Sequence, residues 1–561
     1  MEVSKYIINF FKKKGVKNFF VFQGSNISHL INEIGKQKKC SYVVPHHEQS
    51  LSMQVDTMAR LNGYGVGMVT SGPGATNILT GVCSAYYDSI PCFFITGQVG
   101  QVHIKTNKNY RQFGFQETDV VSIYKRVTKY SKQIQNSSEI PFELEKAYQI
   151  SLSGRPGPVL LDIPWNIQRQ KINRNEKKKF ILSKNNYSNE IKKIKNINEY
   201  LKLSKKPIIL IGGGIKRNNI AEKLLKIIKT NRLPFVTTWT SHDIVDYYND
   251  LYMGSIGRNG NRSANKVCAE ADLIITMGQR FAVKNIFGKF GINAKIISID
   301  VDKEELKSPL AKINLGINLP LDIFVKNWKP FNFKNIKEWL KETSQIKKDL
   351  FDINIICKEK KNRNLVNPFK FFKEISPLVN KNSQIHLDIG AHQTWFYQSF
   401  LQRKSQTIIN HCGHGAMGHA ICSSIAGHYS NKNKFNLVII GDGGFMMNVQ
   451  ELNYIKMKNL PIKIIVINNS SLGNTFADSL MKYKISHANE IKTGYMAPNI
   501  KNISKGFDIK YYKINKDNLI KKIFNEFKSN KSSAILDVVV SKFHRVAELN
   551  LINSDKKIIY L

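Results

Sequence analysis

The chain has 561 residues, 42% hydrophobic and 22% charged, which suits three or four packed domains and excludes a disordered or fibrous protein. Lys and Arg number 84 against 42 Asp and Glu, a formal net charge of +42. The bases are mostly Lys, scattered through an Ile- and Asn-rich chain without a zinc knuckle, basic-region helix or aromatic run, so no nucleic-acid partner is expected.

Tyr6–Lys14 carries an amphipathic helical pattern, followed by Gly15 and a strand at Asn18–Phe22. That stretch is too short and too broken by lysines for a signal peptide or membrane span, and no run of about 18 apolar residues occurs elsewhere. A cytoplasmic protein without a membrane partner is expected. Short apolar runs then recur at 42–44, 65–71, 91–97, 158–164, 206–214, 272–278, 295–300, 435–444 and 461–471. Continuous β-branched runs bounded by glycine are the pattern of strands buried on both faces of a parallel sheet. Two lysine-rich stretches, 168–200 and 329–367, interrupt the series; the second holds a predicted helix over 335–351 and the charge run 358–364. The fold class is therefore α/β, with three doubly wound parallel-sheet domains at 1–170, 190–330 and 366–545. The seven cysteines (40, 83, 92, 268, 357, 412, 422) form no Cys-x-x-Cys pair. Buried reduced thiols are expected, not a disulfide framework or a zinc site.

The sharpest chemical signal lies in the third domain. A strand over Leu437–Ile440 runs into Gly441-Asp442-Gly443-Gly444, a predicted helix over 445–459, a strand over Ile462–Ile467, and Asn468-Asn469. This places a carboxylate and an amide oxygen at the carboxyl ends of two parallel strands, where α/β sheets bind ligands. The glycines let backbone N–H groups approach a diphosphate, and hard oxygen donors suit Mg²⁺. In the first domain Pro45-His46-His47-Glu48-Gln49 follows a strand; the i,i+4 spacing of a His-Glu-x-x-His metal site is absent.

At these residues the chain resembles the thiamine-diphosphate (ThDP) enzymes of the acetolactate synthase-like superfamily, over about residues 15–540. The resemblance implies a pyrimidine-binding first domain, a central domain and a diphosphate-binding third domain. It implies that Asp442, the Asn469 side chain and the Ser471 carbonyl hold Mg²⁺. Gly441, Gly443 and Gly444 would lie against the diphosphate with Gly390 and His392, which stand in a Gly390-Ala391-His392-Gln393 loop where the family has Gln at the position of Ala391. Gly413-His414-Gly415-Ala416-Met417-Gly418 matches a segment in which the Gly415 carbonyl accepts from the cofactor's amino group and Met417 supports its bent shape. Glu48 matches the glutamate that bonds the aminopyrimidine, a role suited to a carboxyl in a partly dry site. The resemblance implies that Gly24 and Pro73 are further cofactor contacts. Phe115 and Gln116, of a Phe-Gln-Glu match, would face the thiazolium of another subunit, so a homodimer or homotetramer is expected.

The middle domain's Gly212-Gly213-Gly214 is a poor dinucleotide fingerprint, lacking its third glycine. Gly254–Gly260 and Gly278–Phe281 match the stretches where acetolactate synthases bind FAD, with Arg258-Asn259 in place of Met-His, so FAD stays open. The implied reaction is decarboxylation of a 2-keto acid, pyruvate, with transfer of a two-carbon unit to a carbonyl acceptor. Asn474, Thr475 and Asp478 stand where acetolactate synthases carry apolar acceptor-selecting residues. That substitution suggests a polar acceptor such as a keto-sugar. A true acetolactate synthase of branched-chain amino acid synthesis and a non-oxidative 2-keto acid decarboxylase remain the alternatives.

Overall fold

The computed structural model describes residues 1–172 except 108, 180–329 except 184 and 287, 336–350 and 365–544. Cys357, the charge run 358–364 and residues 173–179 of the first lysine-rich stretch lie outside the described residues. Three six-stranded parallel sheets carry the chain. The first contains β1 (Asn18–Val21), β2 (Ser41–Val43), β3 (Gly65–Val69), β4 (Cys92–Gln98), β5 (Tyr130–Gln133) and β6 (Val159–Pro164), in the order β2-β1-β3-β4-β6-β5. The second contains β7 (Pro207–Ile211), β8 (Phe235–Thr237), β9 (Tyr252–Ser255), β10 (Leu273–Met277), β11 (Lys295–Asp300) and β12 (Ile313–Asn318), in the order β12-β11-β10-β7-β8-β9. The third contains β13 (Ser383–Leu387), β14 (Thr407–Ile409), β15 (Phe435–Gly441), β16 (Lys463–Asn468), β17 (Lys510–Ile514) and β18 (Ala534–Val539), in the order β14-β13-β15-β16-β18-β17.

Burial follows the pairing. Every residue of the interior strands β3, β4, β7 and β10 is buried, as helices on both faces require. Of the six edge strands, β5, β12 and β17 carry exposed or half-buried positions that blunt pairing with other chains, whereas β9 is buried throughout. Fully burying one Val, Ile or Phe contributes about 1.5–3 kcal/mol, so the continuous apolar runs dominate the choice of strand. Helix Glu48–Asn62, buried along most of its length, is capped by the His47 side chain and ends on Gly63, whose φ of 84° suits glycine.

Three local expectations change. The first helix spans Val3–Lys13 and the first strand stops at Val21. The helix expected over 445–459 is two, Asp442–Met447 and Glu451–Met457. Between them, i→i+3 bonds such as Glu451 N–H to Asn448 O (3.1 Å) and Leu452 N–H to Val449 O (3.1 Å) tighten the backbone into a break. Of the six described cysteines, all free, Cys92, Cys268 and Cys422 are buried while Cys40, Cys83 and Cys412 are half-buried. Among the described residues, no helix is long and apolar enough to cross a membrane.

The chain divides into two compact units. One comprises Met1–Lys184, His411–Asn436 and Phe445–Ile462; the other comprises Asn185–Asn410, Leu437–Gly444 and Lys463–Leu561.

Candidate active site

In the first unit a group of backbone and side chains gathers beyond β1 and β3. Glu48 opens its helix, buried at 8% exposure, and its Oε2 accepts from Asn77 Nδ2 at 2.9 Å. Gly24 lies directly against Thr70: a Cβ there would sit 2.5 Å from Thr70 Cβ. Gly74, beside Pro73 in helix Pro73–Asn77, has the same neighbour, with Glu48 Oε1 3.7 Å from where its Cβ would be. A Cβ on Gly72 would meet Gln116 Cβ at 2.9 Å, and Gln116 has a φ of 64°, unusual for a residue with a side chain. The structure therefore brings Gly24, Glu48, Pro73 and Gln116 into one neighbourhood. Phe115 is 85% exposed.

Behind Glu48 the loop is held from beneath. His46 N–H donates to Glu451 Oε1 at 2.8 Å, and His46 Nε2 lies 3.1 Å from Asn453 Nδ2. Glu451 is fully buried, and burial pushes its carboxyl up to about 7. Gly415 and Met417, both half-buried, lie in the same unit on the segment between His411 and helix His419–Ser430.

In the second unit the carboxyl ends of β15 and β16 converge. Asp442 opens helix Asp442–Met447 and is buried, and its Oδ2 has no hydrogen-bond partner. Burial pushes its carboxyl up to about 7, against the backbone N–H groups of Asp442 itself, Gly443 and Ser471 and the Tyr495 hydroxyl, which pull it down. Asn469 Oδ1 accepts from Ser471 N–H at 3.2 Å, and the buried Ser471 Oγ also has no partner. The glycines are matters of space. A Cβ on Gly444 would sit 2.9 Å from Asp388 Oδ1, and one on Gly441 3.3 Å from His392 Nδ1. His392 is buried, with Nε2 3.1 Å from Asp388 O, and burial lowers its imidazole to about 4, so it is neutral near pH 7. Gly390 abuts the same ring, 2.7 Å from its would-be Cβ to His392 Cε1. Gly390, His392, Gly441, Asp442, Gly444, Asn469 and Ser471 thus form one cluster at the carboxyl ends of the third sheet's strands, with Gly443 between two of its members. Asn474, Thr475 and Asp478 lie exposed on helix Gly473–Tyr483, where Asp478 pairs with Lys482 at 2.7 Å.

Sequence reasoning gave no role to Asn77, Glu451 or Asp388. Their parts are visible only through contacts made in the fold: Asn77 to Glu48, Glu451 to His46 and Asp388 to Gly444.

The comparisons with known proteins fit this arrangement. Residues 1–123 match the thiamine pyrophosphate enzyme N-terminal TPP binding domain, 194–318 the central domain and 388–538 the C-terminal TPP binding domain. A probable acetolactate synthase large subunit of Methanococcus aeolicus is 30% identical over 532 residues, 89% of this chain and 85% of the relative. The chain belongs to the acetolactate synthase-like thiamine pyrophosphate enzymes. The acetolactate synthase large subunit of Lactococcus lactis subsp. lactis (strain IL1403) is 28% identical over 552 residues, 97% of this chain and 93% of the relative. Acetolactate synthase 2, chloroplastic, of Nicotiana tabacum is 30% identical over 486 residues, 84% of this chain and 71% of the relative. As an acetolactate synthase-like enzyme the protein is a ThDP-dependent carboligase by type. The all-parallel architecture of its three sheets is that of the class.

Proposed function

We propose that this enzyme decarboxylates pyruvate and passes the two-carbon unit to a carbonyl acceptor, with Mg²⁺ and ThDP as cofactors and a cytoplasmic homodimer or homotetramer as the working form. The observation that carries the reading is Asp442: a buried carboxylate whose Oδ2 makes no aligned hydrogen bond, beside Asn469, Ser471 and the Tyr495 hydroxyl, at the carboxyl ends of two adjacent parallel strands. An orphaned buried carboxylate is costly unless a ligand satisfies it, and this hard-oxygen set fits Mg²⁺. Asp442, the Asn469 side chain and the Ser471 carbonyl would hold the ion, and the close-packed backbone at Gly390, Gly441 and Gly444 would receive a diphosphate. ThDP supplies the carbanion chemistry when bound.

The chain's own residues do the rest. Glu48, oriented by Asn77, would share a proton with the aminopyrimidine, and the neutral His392 would donate to or accept from a phosphate oxygen without adding charge. Phe115 and Gln116 are assigned to the substrate side of the site. At the middle sheet, Gln279 is buried with neither amide atom hydrogen-bonded, next to the packed Gly212 and Gly278. That orphaned amide fits a polar ligand such as FAD between β7 and β10, and the flavin absorbance of purified protein tests it.

The relatives' names point to a second 2-keto acid as acceptor. The exposed Asn474, Thr475 and Asp478 favour a second reading, a hydroxylated acceptor such as a keto-sugar. Incubation with pyruvate plus 2-ketobutyrate, or plus a keto-sugar, separates them. Efficient acetohydroxybutyrate formation removes the polar-acceptor reading, and free aldehyde without any acceptor makes the enzyme a simple decarboxylase. No CO₂ release dependent on ThDP and Mg²⁺ with any keto acid overturns the proposal.

A further inference from the structure

The first unit holds a second cluster of ligand-type side chains, away from Glu48. Asp56 sits midway along helix Glu48–Asn62, His411 follows β14, and His419 opens helix His419–Ser430. His411 Nε2 lies 2.8 Å and His419 Nε2 3.5 Å from the same oxygen, Asp56 Oδ2. One ligand atom from each residue falls within 4.8 Å of the others, and all three side chains are buried. The two rings stack face to face, with centroids 3.0 Å and planes 20° apart. None of the four ring nitrogens makes an aligned hydrogen bond.

We propose that Asp56, His411 and His419 bind a divalent transition-metal ion, with zinc as the best match to the donor set.

Two imidazoles and a carboxylate are zinc ligands, and metal–ligand bonds of about 2.0–2.1 Å put tetrahedral ligand atoms roughly 3.3 Å apart, between the two observed separations. The carboxylate is already oriented. Arg60 donates to it through Nε at 2.9 Å and Nη2 at 3.3 Å, and reaches Asp88 through Nη2 at 2.7 Å, the outer support that ligating carboxylates commonly have. The charges call for a cation: two carboxylates, Asp56 and Asp88, share one guanidinium. The site is structural. His411 and His419 bracket the segment bearing Gly415 and Met417, and that segment is also braced where His414 stacks on Tyr87, 5.7 Å between centroids.

The test uses the full-length protein, stripped of transition metals and resupplied with ThDP and Mg²⁺ so that the Asp442 cluster is saturated. Co²⁺ is then titrated while visible absorption is followed. One equivalent per chain should give a visible absorption band, displaced by one equivalent of Zn²⁺ and lost in His411→Gln and His419→Gln. Arg60→Lys should weaken binding by about 10- to 100-fold. No band in the wild type overturns the proposal, as does a band that survives both histidine variants. If a variant does not fold, the wild-type protein decides alone: a band abolished by thiol alkylation assigns the ion to cysteines and also overturns it.

Discussion

Asn77 Nδ2 donates to Glu48 Oε2 at 2.9 Å, tying the end of helix Pro73–Asn77 to the first turn of helix Glu48–Asn62. The carboxylate is thereby held in one direction, which a proton-sharing group requires. Glu48→Gln keeps the size and a partner for Asn77 but cannot carry the proton. CO₂ release from pyruvate should fall by about 10²- to 10⁴-fold while ThDP binding by calorimetry persists. A variant of wild-type rate would remove Glu48 from the chemistry.

Asp442→Asn replaces the orphaned carboxylate by a neutral amide. Mg²⁺-dependent ThDP affinity should drop by about 100-fold or more. The cofactor-free protein should melt no lower than wild type at pH 8, because a buried charge has been removed. Calorimetric titration and thermal melts measure the two effects separately, and a parallel loss of both would mark Asp442 as a folding residue.

Gly24→Ala and Gly444→Ala test the close backbone approaches. The new methyl meets Thr70 Cβ at 2.5 Å in the first and Asp388 Oδ1 at 2.9 Å in the second. Each should cost about 1–3 kcal/mol in denaturant unfolding.

Glu451 gives the pH dependence its sign. Its folded carboxyl titrates at about 7, above the unfolded value near 4.5. Stability from this group is full at low pH and lost as pH rises through 7. Glu451→Gln stays neutral and retains an acceptor for His46 N–H. It should match wild type near pH 4.5 and exceed it at pH 8 by up to about 3 kcal/mol, read from urea unfolding at each pH.

The strands were legible because burial on both faces writes a local signature: Pro207–Ile211 and Leu273–Met277 are apolar at nearly every position. The Asp442–Asn469 spacing was legible because one βαβ passage separates two adjacent strand ends. The break at Asn448 was not, since the helical pattern of apolar residues continues across it and i→i+3 bonds leave no compositional mark. Nor were Glu451 beneath His46 or Asp388 beneath Gly444, because such contacts join segments far apart in the chain. Periodicity reports which face a residue occupies and says nothing about what it meets there.

The third sheet places β18 between β16 and β17, although it is the last strand among the described residues. On the ribosome, β16 is therefore finished well before its neighbour exists. From Asn468 to Ala534 is 66 residues, roughly 3–13 s of synthesis at 5–20 residues per second. Through that interval one side of β16 is a bare, apolar template, exposed to other nascent chains. A stop codon shortly before residue 534 would make the interval permanent: the Asp442 loop would be present, yet its sheet would be split between β16 and β17. Such a product should be recovered as aggregate or with chaperones.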